Sequence, residues 1–219
     1  MPDRPDRTAK SVAGKRVTEL GEYRLLERIR ARVPPAPSWV MIGIGDDGAV
    51  IEPARGRLDV VTTDAMVEGV HFDRAFVTPA DLGYKALAIN LSDLAAMGAE
   101  PRVGVLSLFL PPDLTLDDLD RLLDGLLGLA GQHHLELVGG NLTRSPGPLC
   151  IDITAIGTVR RRTVLTRKGA RPGDGLYVTG SIGNAAAGLE YLKTQGKTPN
   201  TGNEMDSCVE RFLRPEPRV

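Results

Sequence analysis

The sequence predicts an α+β fold, a mixed or antiparallel sheet with helices on one face. Three observations predict it. Short β-rich runs alternate with helical patterns along the chain. Neighbouring β-rich runs are often separated only by short turns, which favours antiparallel pairing. The 219 residues, of which 42% are hydrophobic and 25% charged, have the composition and length of one globular domain, or of one domain and part of another.

The first half of the chain is predicted to hold a disordered arm, two helices and short strands. Residues 1–18 are rich in Pro, Arg, Asp and Lys, a composition typical of disordered segments. The longer helix opens with Thr78 and Pro79, a capping residue followed by a residue suited to the first turn. The predicted elements are a helix at Glu19–Val33, strands at Val40–Ile44, Ala49–Glu52 and Leu58–Thr63, and a helix at Pro79–Met97.

The second half of the chain is predicted to complete the sheet and to begin another domain. Thr115 and Asp118 have the spacing of a capping box at the start of a Leu-rich helix. A composition shift near Arg160–Asp174 predicts a boundary between a domain at residues 19–160 and the start of a second α/β domain at residues 161–219. The predicted elements are a strand at Arg102–Leu110, a helix at Leu116–His133, strands at Leu135–Val138, Leu149–Val159 and Gly175–Thr179, and helices at Ile182–Thr194 and Asp206–Leu213.

Composition and charge argue against several function classes. Lys and Arg number 27 against 28 Asp and Glu, so no overall basic field favours nucleic acid or an anionic membrane. The longest apolar run, Val103–Leu110, has the length of a strand and is too short to span a bilayer. Cys150 and Cys208 make no disulfide scaffold, and Met1–Lys10 lacks the apolar core of a signal peptide. We expect a cytoplasmic enzyme or binding protein without a nucleic-acid or membrane partner.

The first candidate site is the run Gly43–Gly48, which reads GIGDDG. It fits the spacing of a dinucleotide-binding loop, but two aspartates would repel a pyrophosphate and a strand pattern follows in place of a helix. Adjacent carboxylates instead suit a hard divalent cation that meets phosphate oxygens. The alternative is a plain Asp-Gly turn between two strands.

Two further candidates lie on a strand and on a helix. Thr62, Thr63 and Asp64 lie at the end of a predicted strand, where a stiff scaffold can present a ligand; the alternative is a solvated strand end. Asn90 and Asp93 share one face of the Pro79–Met97 helix among apolar neighbours. A carboxylate in such surroundings needs a metal or a charged partner, unless it is simply exposed near the end of the helix.

The fourth candidate is the segment Gly139–Gly147, which combines flexible glycines, small hydroxyls and one arginine. Such a loop can present backbone N–H groups to phosphate, or it can be only a long turn. A basic cluster follows, formed by Arg160–Arg162, Arg167 and Lys168. We expect most of it to be a solvated face, in which one arginine could bind a phosphate in a bidentate manner. Because the sequence has no P-loop, bound nucleotide would depend on carboxylate-held Mg²⁺.

Taken together, these motifs resemble the thiamine-monophosphate kinase family, of the superfamily that includes aminoimidazole ribonucleotide synthetase. The resemblance extends over residues 19–219, and its motifs occur in the order of the family. The matching stretches are GIGDDGAV at Gly43–Val50, TTDAMVEGVHF at Thr62–Phe72, DLGYKALAINLSDLAAMGAEP at Asp81–Pro101, GGNLTRSPGP at Gly139–Pro148 and LTRKGARPGDGLYVTG at Leu165–Gly180.

The resemblance implies ATP-dependent phosphorylation of thiamine monophosphate to thiamine diphosphate by direct in-line transfer, with no phospho-enzyme. It implies that His71 lies at the thiamine phosphate, that Gly140, Asn141 and Arg167 contact ATP, and that the chain forms a homodimer through its sheet. Asn141 stands at a metal-ligand position where the family usually has Asp. The residues implied to hold several Mg²⁺ ions are Asp47, Thr62, Thr63, Asp64, Asp93 and Asn141.

One departure from the family concerns the second domain. The family continues with a D-x-S-D-G-L-type segment that this sequence lacks, so we expect the second domain to be incomplete. Two alternatives to the kinase therefore stay open. One is a non-catalytic module that binds Mg-nucleotide or dimerises, and the other is a different ATP-dependent enzyme of the same superfamily.

Overall fold

The computed structural model describes residues 14–196 and 204–219. Over these residues the chain folds into a four-stranded sheet, a small two-stranded hairpin and a set of helices, in the order α1, β1–β3, α2, β4, α3, β5, β6, α4 and α5. The elements are α1 Glu22–Arg30, β1 Val40–Ile42, β2 Val50–Ile51, β3 Leu58–Val67, α2 Pro79–Ala96, β4 Glu100–Leu110, α3 Leu116–Gln132, β5 Glu136–Arg144, β6 Cys150–Val159, α4 Asn184–Gln195 and α5 Glu204–Leu213.

The large sheet has the strand order β3-β6-β4-β5. β6 pairs antiparallel with both β3 and β4, whereas β4 and β5 run parallel because α3 crosses over between them. The register joins Leu58 to Val159 at one end of the β3–β6 pair and Val67 to Cys150 at the other. The predicted mixed sheet with helices on one face is confirmed.

The core lies between the sheet and the pair α2 and α3, which begin at the predicted caps. The Thr78 hydroxyl accepts a hydrogen bond from the Asp81 backbone N–H, and the Thr115 hydroxyl accepts one from Asp118. Leucines on the inner faces of both helices are almost fully buried, which supplies most of the apolar area that holds the layers together. They are Leu87, Leu91 and Leu94 on α2 and Leu119, Leu122 and Leu126 on α3.

The two core helices approach closely at a pair of glycines. A Cβ added to Gly83 of α2 would lie 1.8 Å from the Leu122 carbonyl oxygen, and one added to Gly125 of α3 would lie 1.9 Å from that of Ala80. Because nothing larger than hydrogen fits at either position, glycine sets the spacing between the helices. This spacing matters for the site described below, since α2 carries Asp93.

The predicted disordered arm needs a correction at its C-terminal end. Residues 1–13 lie outside the described part of the chain, but residues 14–18 are described and are not a free arm. Val17 is buried and its backbone N–H donates to the Leu114 carbonyl at 2.9 Å, while Arg16 bridges Thr115. The apolar side chain of Val17 has a place in the core, which outweighs the polar composition around it.

Two predicted strand assignments are wrong. β5 does not end at Val138 but runs on to Arg144, so most of the predicted turn at Gly139–Pro148 is strand. Conversely, Gly175–Thr179 forms no strand, and Leu176 and Tyr177 are 96% and 91% exposed. Its β-rich side chains find no neighbouring strand among the described residues, and a strand requires a partner for its backbone groups.

The C-terminal helices pack on each other and contact α2. Leu192 of α4 and Val209 of α5 are fully buried. At the end of α5 the Phe212 ring lies 3.5 Å below the Lys85 ammonium, and Arg214 forms an ion pair with Asp81 at 2.5 Å. The predicted linker at residues 196–203 lies almost entirely outside the described residues. None of the described helices combines the length and apolar character that crossing a membrane would require.

Candidate metal and phosphate site

A threonine on the sheet and an aspartate on α2 form the centre of the candidate site. Thr62 lies within β3, which continues to Val67, and not at the strand end as predicted. Its hydroxyl donates to the Asp93 carboxylate at 2.7 Å. Asp93 is exposed rather than surrounded by apolar side chains, so the threonine hydroxyl and water satisfy it. The contact brings together two residues that the sequence predicted separately.

Asp64 adds a second carboxylate on the same face of β3. Alternation along the strand places Thr62 and Asp64 toward α2 and Thr63 on the opposite face. Partial burial raises the pKa of Asp64 above its usual value, and the carboxylates of Asp93 and Asp152 raise it further, while His71 acts in the other direction. Negative groups therefore converge here, and a cation would relieve their repulsion.

Asp152, which the sequence analysis missed, lies with Thr63 on the sheet face opposite Thr62 and Asp64, although its charge still acts on Asp64. The Thr63 hydroxyl donates to the Asp152 carboxylate at 3.1 Å, and the Thr154 hydroxyl donates to Thr63 at 3.2 Å. Polar residues alternate with Ile151, Ile153 and Ala155 along β6, a pattern that indicates a second, polar face of that strand. That alternation was the available signal.

The position of His71 follows from the turn after β3. The Val67 backbone N–H donates to His71 Nδ1 at 3.0 Å, so in the neutral ring Nε2 carries the hydrogen. An ion-pair network holds the following loop, because Arg74 contacts Glu68 at 2.6 Å and Asp113 at 2.8 Å. The exposed imidazole therefore offers an N–H donor that suits a phosphate oxygen.

Asn90, which shares the helix face of Asp93 in the sequence, has a different role. It is fully buried, and its amide nitrogen donates to the Ala86 carbonyl at 3.1 Å. Its Oδ1 has no hydrogen-bond partner among the described residues. The spacing of three residues thus brings only Asp93 to the candidate site.

The other predicted ligands lie apart from this group within one chain. Asp47 is exposed in the turn between β1 and β2, where its backbone N–H donates to the Asp46 carboxylate at 2.9 Å. Gly140 and Asn141 lie on β5, at the sheet edge opposite β3, about 14 Å away across three strand spacings. Arg167 is exposed in the irregular segment after β6. Gly140 has a packing role, since an added Cβ would lie 1.9 Å from the Leu106 carbonyl oxygen.

The chemistry of the donors fits Mg²⁺ in partnership with a phosphate ligand. The described residues contain no group of three or more His, Cys, Asp or Glu that could hold a metal ion. Mg²⁺ is commonly bound through one or two carboxylates together with substrate phosphates and water. Asp64, Asp93 and the hydroxyl oxygen of Thr62 are the oxygen ligands that such a site needs.

Comparison with known proteins identifies a family and relatives of the chain. Residues 45–159 match the family described as AIR synthase related protein, N-terminal domain. The chain is 38% identical over 200 residues to thiamine-monophosphate kinase of Bacillus subtilis and 42% identical over 199 residues to that of Escherichia coli K12, with 91% of the chain covered in each case. It spans about 60% of the length of these curated relatives.

Solved structures give the same result. The thiamine-monophosphate kinase of Stenotrophomonas maltophilia has a TM-score of 0.78 and 42% identity, with 91% of this chain and 63% of that chain covered. A structure described as AaThiL complexed with AMPPCP and TMP has a TM-score of 0.68 and 33% identity, with 93% and 62% covered. The resemblance to thiamine-monophosphate kinases is thereby confirmed, and the chain belongs to the family of AIR synthase related proteins through its N-terminal domain.

Proposed function

We propose that the chain acts in a cytoplasmic thiamine-monophosphate kinase that transfers the γ-phosphoryl group of ATP to thiamine monophosphate. The observation that carries the proposal is the group of Thr62, Asp93 and Asp64 in the matched segment, in which the Thr62 hydroxyl bonds to Asp93 and the Asp93 charge acts on Asp64. The structural relative complexed with AMPPCP and TMP supports a nucleotide and a thiamine phosphate as the two ligands.

The main difficulty of this reaction is the repulsion between two polyanions. The acceptor is a phosphate whose second pKa is near 6, so it is largely ionised at pH 7 and needs no strong general base. Bound Mg²⁺ supplies neutralisation of the phosphates. Asp64, Asp93 and Thr62 would hold it, with Asp47, Thr63 and Asn141 as the further ligands that the family resemblance implies. We expect direct transfer without a phospho-enzyme.

The remaining predicted residues would bind and orient the two substrates. His71 Nε2–H is available to donate to the phosphate of thiamine monophosphate, because Nδ1 is already occupied by the Val67 N–H. Gly140 and Asn141 would contact ATP from β5, and Arg167 would pair with its phosphates. Asn141 ligates through a neutral amide oxygen, so its metal site would carry one negative charge fewer than the usual aspartate gives.

The test measures binding and turnover separately. Asp64→Asn keeps the size of the side chain but removes a charged ligand, so we expect the Kd for Mg-ATP to rise about tenfold to a hundredfold. Asp59→Asn is the matched control, since Asp59 lies at the start of the same strand on its other face. Isothermal titration gives the Kd, and formation of thiamine diphosphate gives the turnover. Equal affinities of the two variants would contradict the role of Asp64.

The second candidate is Mg-nucleotide binding without transfer. It is favoured by the position of Thr62, Asp64 and Asp93, which all lie within the segment that AIR synthase related proteins share. Tight Mg-ATP binding with no thiamine diphosphate formed would support it. Phosphorylation of a different acceptor would instead indicate another ATP-dependent enzyme of the superfamily.

We also propose that two copies of the chain pair through the sheet face that α2 and α3 leave uncovered. Val61 is 64% exposed and Phe109 38% exposed on that face, so both apolar side chains are available for contact with a second copy. Sedimentation equilibrium of the purified chain tests this, with Val61→Lys expected to shift the protein toward monomer. A monomeric wild-type chain at micromolar concentration would rule out the pairing.

A further inference from the structure

A cleft rich in arginine lies at the end of the sheet where β3 begins and β6 ends. Its volume is 520 Å³. Because Leu58 pairs with Val159, the turn before β3 and the turn after β6 lie side by side, although about a hundred residues separate them in the chain. The residues that line it are Arg55, Gly56, Arg57, Arg160, Arg161, Arg162 and Thr163.

The positive charge of this cleft is largely uncompensated. Arg57 forms an ion pair with the mostly exposed Glu100 at 2.7 Å. Across residues 14–196 and 204–219, no carboxylate lies within ion-pair distance of Arg55 or of Arg160–Arg162. The chain as a whole has a net charge of −1, so these guanidinium groups form a local field of opposite sign to the average.

The backbone that carries the arginines is anchored. The Thr163 backbone N–H and hydroxyl both donate to the Arg160 carbonyl, at 2.9 and 3.1 Å, which closes the second turn. The Leu165 N–H then donates to the Met97 carbonyl at the end of α2 at 3.1 Å. The first turn is closed by the Arg57 N–H on the Ala54 carbonyl. The cleft is therefore a shaped feature of the fold and not a loose basic tail.

We propose that this cleft binds a small anion with two linked phosphoryl groups, such as inorganic pyrophosphate or the diphosphate end of a larger metabolite. The planar guanidinium fork of arginine pairs with phosphate oxygens in a bidentate manner, and arginines on two facing turns can hold two phosphoryl groups at once. The volume suits a ligand of metabolite size.

The cleft is separate from the candidate metal site. Four residue steps of extended strand separate Leu58 from Thr62, a distance of about 13 Å. One diphosphate is too short to contact both sites. The proposal therefore stands independently of the kinase function and describes a second anion site on the same domain.

The test is isothermal titration of the full chain with inorganic pyrophosphate in the absence of Mg²⁺. The double variant Arg160→Gln/Arg162→Gln is expected to raise the Kd at least tenfold, as the loss of two bidentate contacts requires. The matched control, Arg24→Gln/Arg121→Gln, removes the same charge from exposed helix positions and is expected to change the Kd less than about threefold. Asp64→Asn is expected to leave pyrophosphate binding unchanged, which separates this site from the proposed kinase site.

A second measurement does not depend on a folded variant. Pyrophosphate is expected to protect the cleft arginines of the wild-type chain from modification by phenylglyoxal, as read by peptide mass mapping. Absence of binding, equal weakening in the control, or modification unaffected by pyrophosphate would each overturn the proposal. Tighter binding of a short single-stranded RNA than of pyrophosphate would also overturn it, because the cleft would then serve a macromolecule.

Discussion

The contact between α2 and α3 leads to a quantitative prediction for Gly83→Ala. Alanine is ordinarily the better helix former, by about 1 kcal/mol in an exposed helix interior. At Gly83 the added methyl would lie 1.8 Å from the Leu122 carbonyl oxygen, whereas ordinary contact begins at 3.4 Å. The oxygen belongs to a helix backbone and has no rotamer with which to move away. The helices must therefore separate by about 1.6 Å at this point.

The cost follows from the leucines that the separation would pull apart. A gap of 0.5–1 Å already forfeits a quarter to a half of a dispersion contact, and Leu87, Leu91 and Leu122 are fully buried around the contact. Overpacking of this kind commonly costs about 1–3 kcal/mol, and more where the backbone blocks relaxation. After subtraction of the gain in helix propensity, we expect the free energy of unfolding to fall by about 3 kcal/mol. Such a loss is a large fraction of the stability of a domain.

Gly128→Ala is the matched control, because Gly128 lies within α3 and an added Cβ there meets nothing within 4 Å. We expect this variant to be more stable than wild type by about 0.5–1 kcal/mol. Urea unfolding followed by circular dichroism measures both. The same substitution should thus have opposite signs at two core-helix positions, and a Gly83→Ala variant as stable as wild type would refute the close approach of the helices.

Two further predictions concern the sheet edge and a buried amine. Gly140→Ala places a Cβ 1.9 Å from the Leu106 carbonyl oxygen, so it should separate β5 from β4 and lower the free energy of unfolding by about 2–3 kcal/mol. Gly139→Ala is the control, because its added Cβ meets nothing within 4 Å and should change the free energy of unfolding little. Urea unfolding measures both variants. Burial lowers the pKa of Lys85 from 10.5 to about 8. Between these values the unfolded chain binds the proton and the folded chain does not, so this group makes stability rise with pH across the window. Lys85→Met should therefore raise the free energy of unfolding at pH 7, by about 1–2 kcal/mol after allowance for solvent screening and for the lost contact with Phe212. The gain should be smaller at pH 10, and an equal gain at both pH values in urea unfolding would contradict this.

The features that the sequence predicted well depend on local interactions. The starts of α2 and α3 follow from Thr78 and Thr115, each of which caps a backbone N–H three residues ahead. The end of α2 at Ala96 follows from Gly98, which adopts φ +69°. Such signals need no knowledge of the rest of the chain, so the helix order and the mixed sheet could be predicted from residues alone.

The two errors in the strands have a non-local cause. Gly139–Arg144 has the composition of a turn, yet it forms strand because β4 lies beside it and the Leu106 carbonyl needs a glycine at position 140. Gly175–Thr179 has the composition of a strand, yet it forms none where no described strand pairs with it. In both cases the presence or absence of a neighbour outweighs local preference, as expected for strands more than for helices.

The candidate site, too, could be predicted from the sequence only in part. Oxygen-bearing side chains at Thr62, Asp64 and Asp93 could be chosen by residue type, but the 2.7 Å bond from Thr62 to Asp93 depends on how α2 returns across the sheet. Asp152 was missed because its significance depends on the register of β6 against β3. Asp47, Asn141 and Arg167 keep their assignments as proposals, since one chain does not bring them to this group.

The separation of the two charged regions along β3 explains how one domain can hold both. The arginine cleft begins just before Leu58, and the carboxylates lie beside Thr62 and Asp64, about 13 Å further along the strand. This distance exceeds the Debye length of about 8 Å at physiological ionic strength, so the arginines do not neutralise the carboxylates. Each region keeps its own field although the net charge of the chain is only −1.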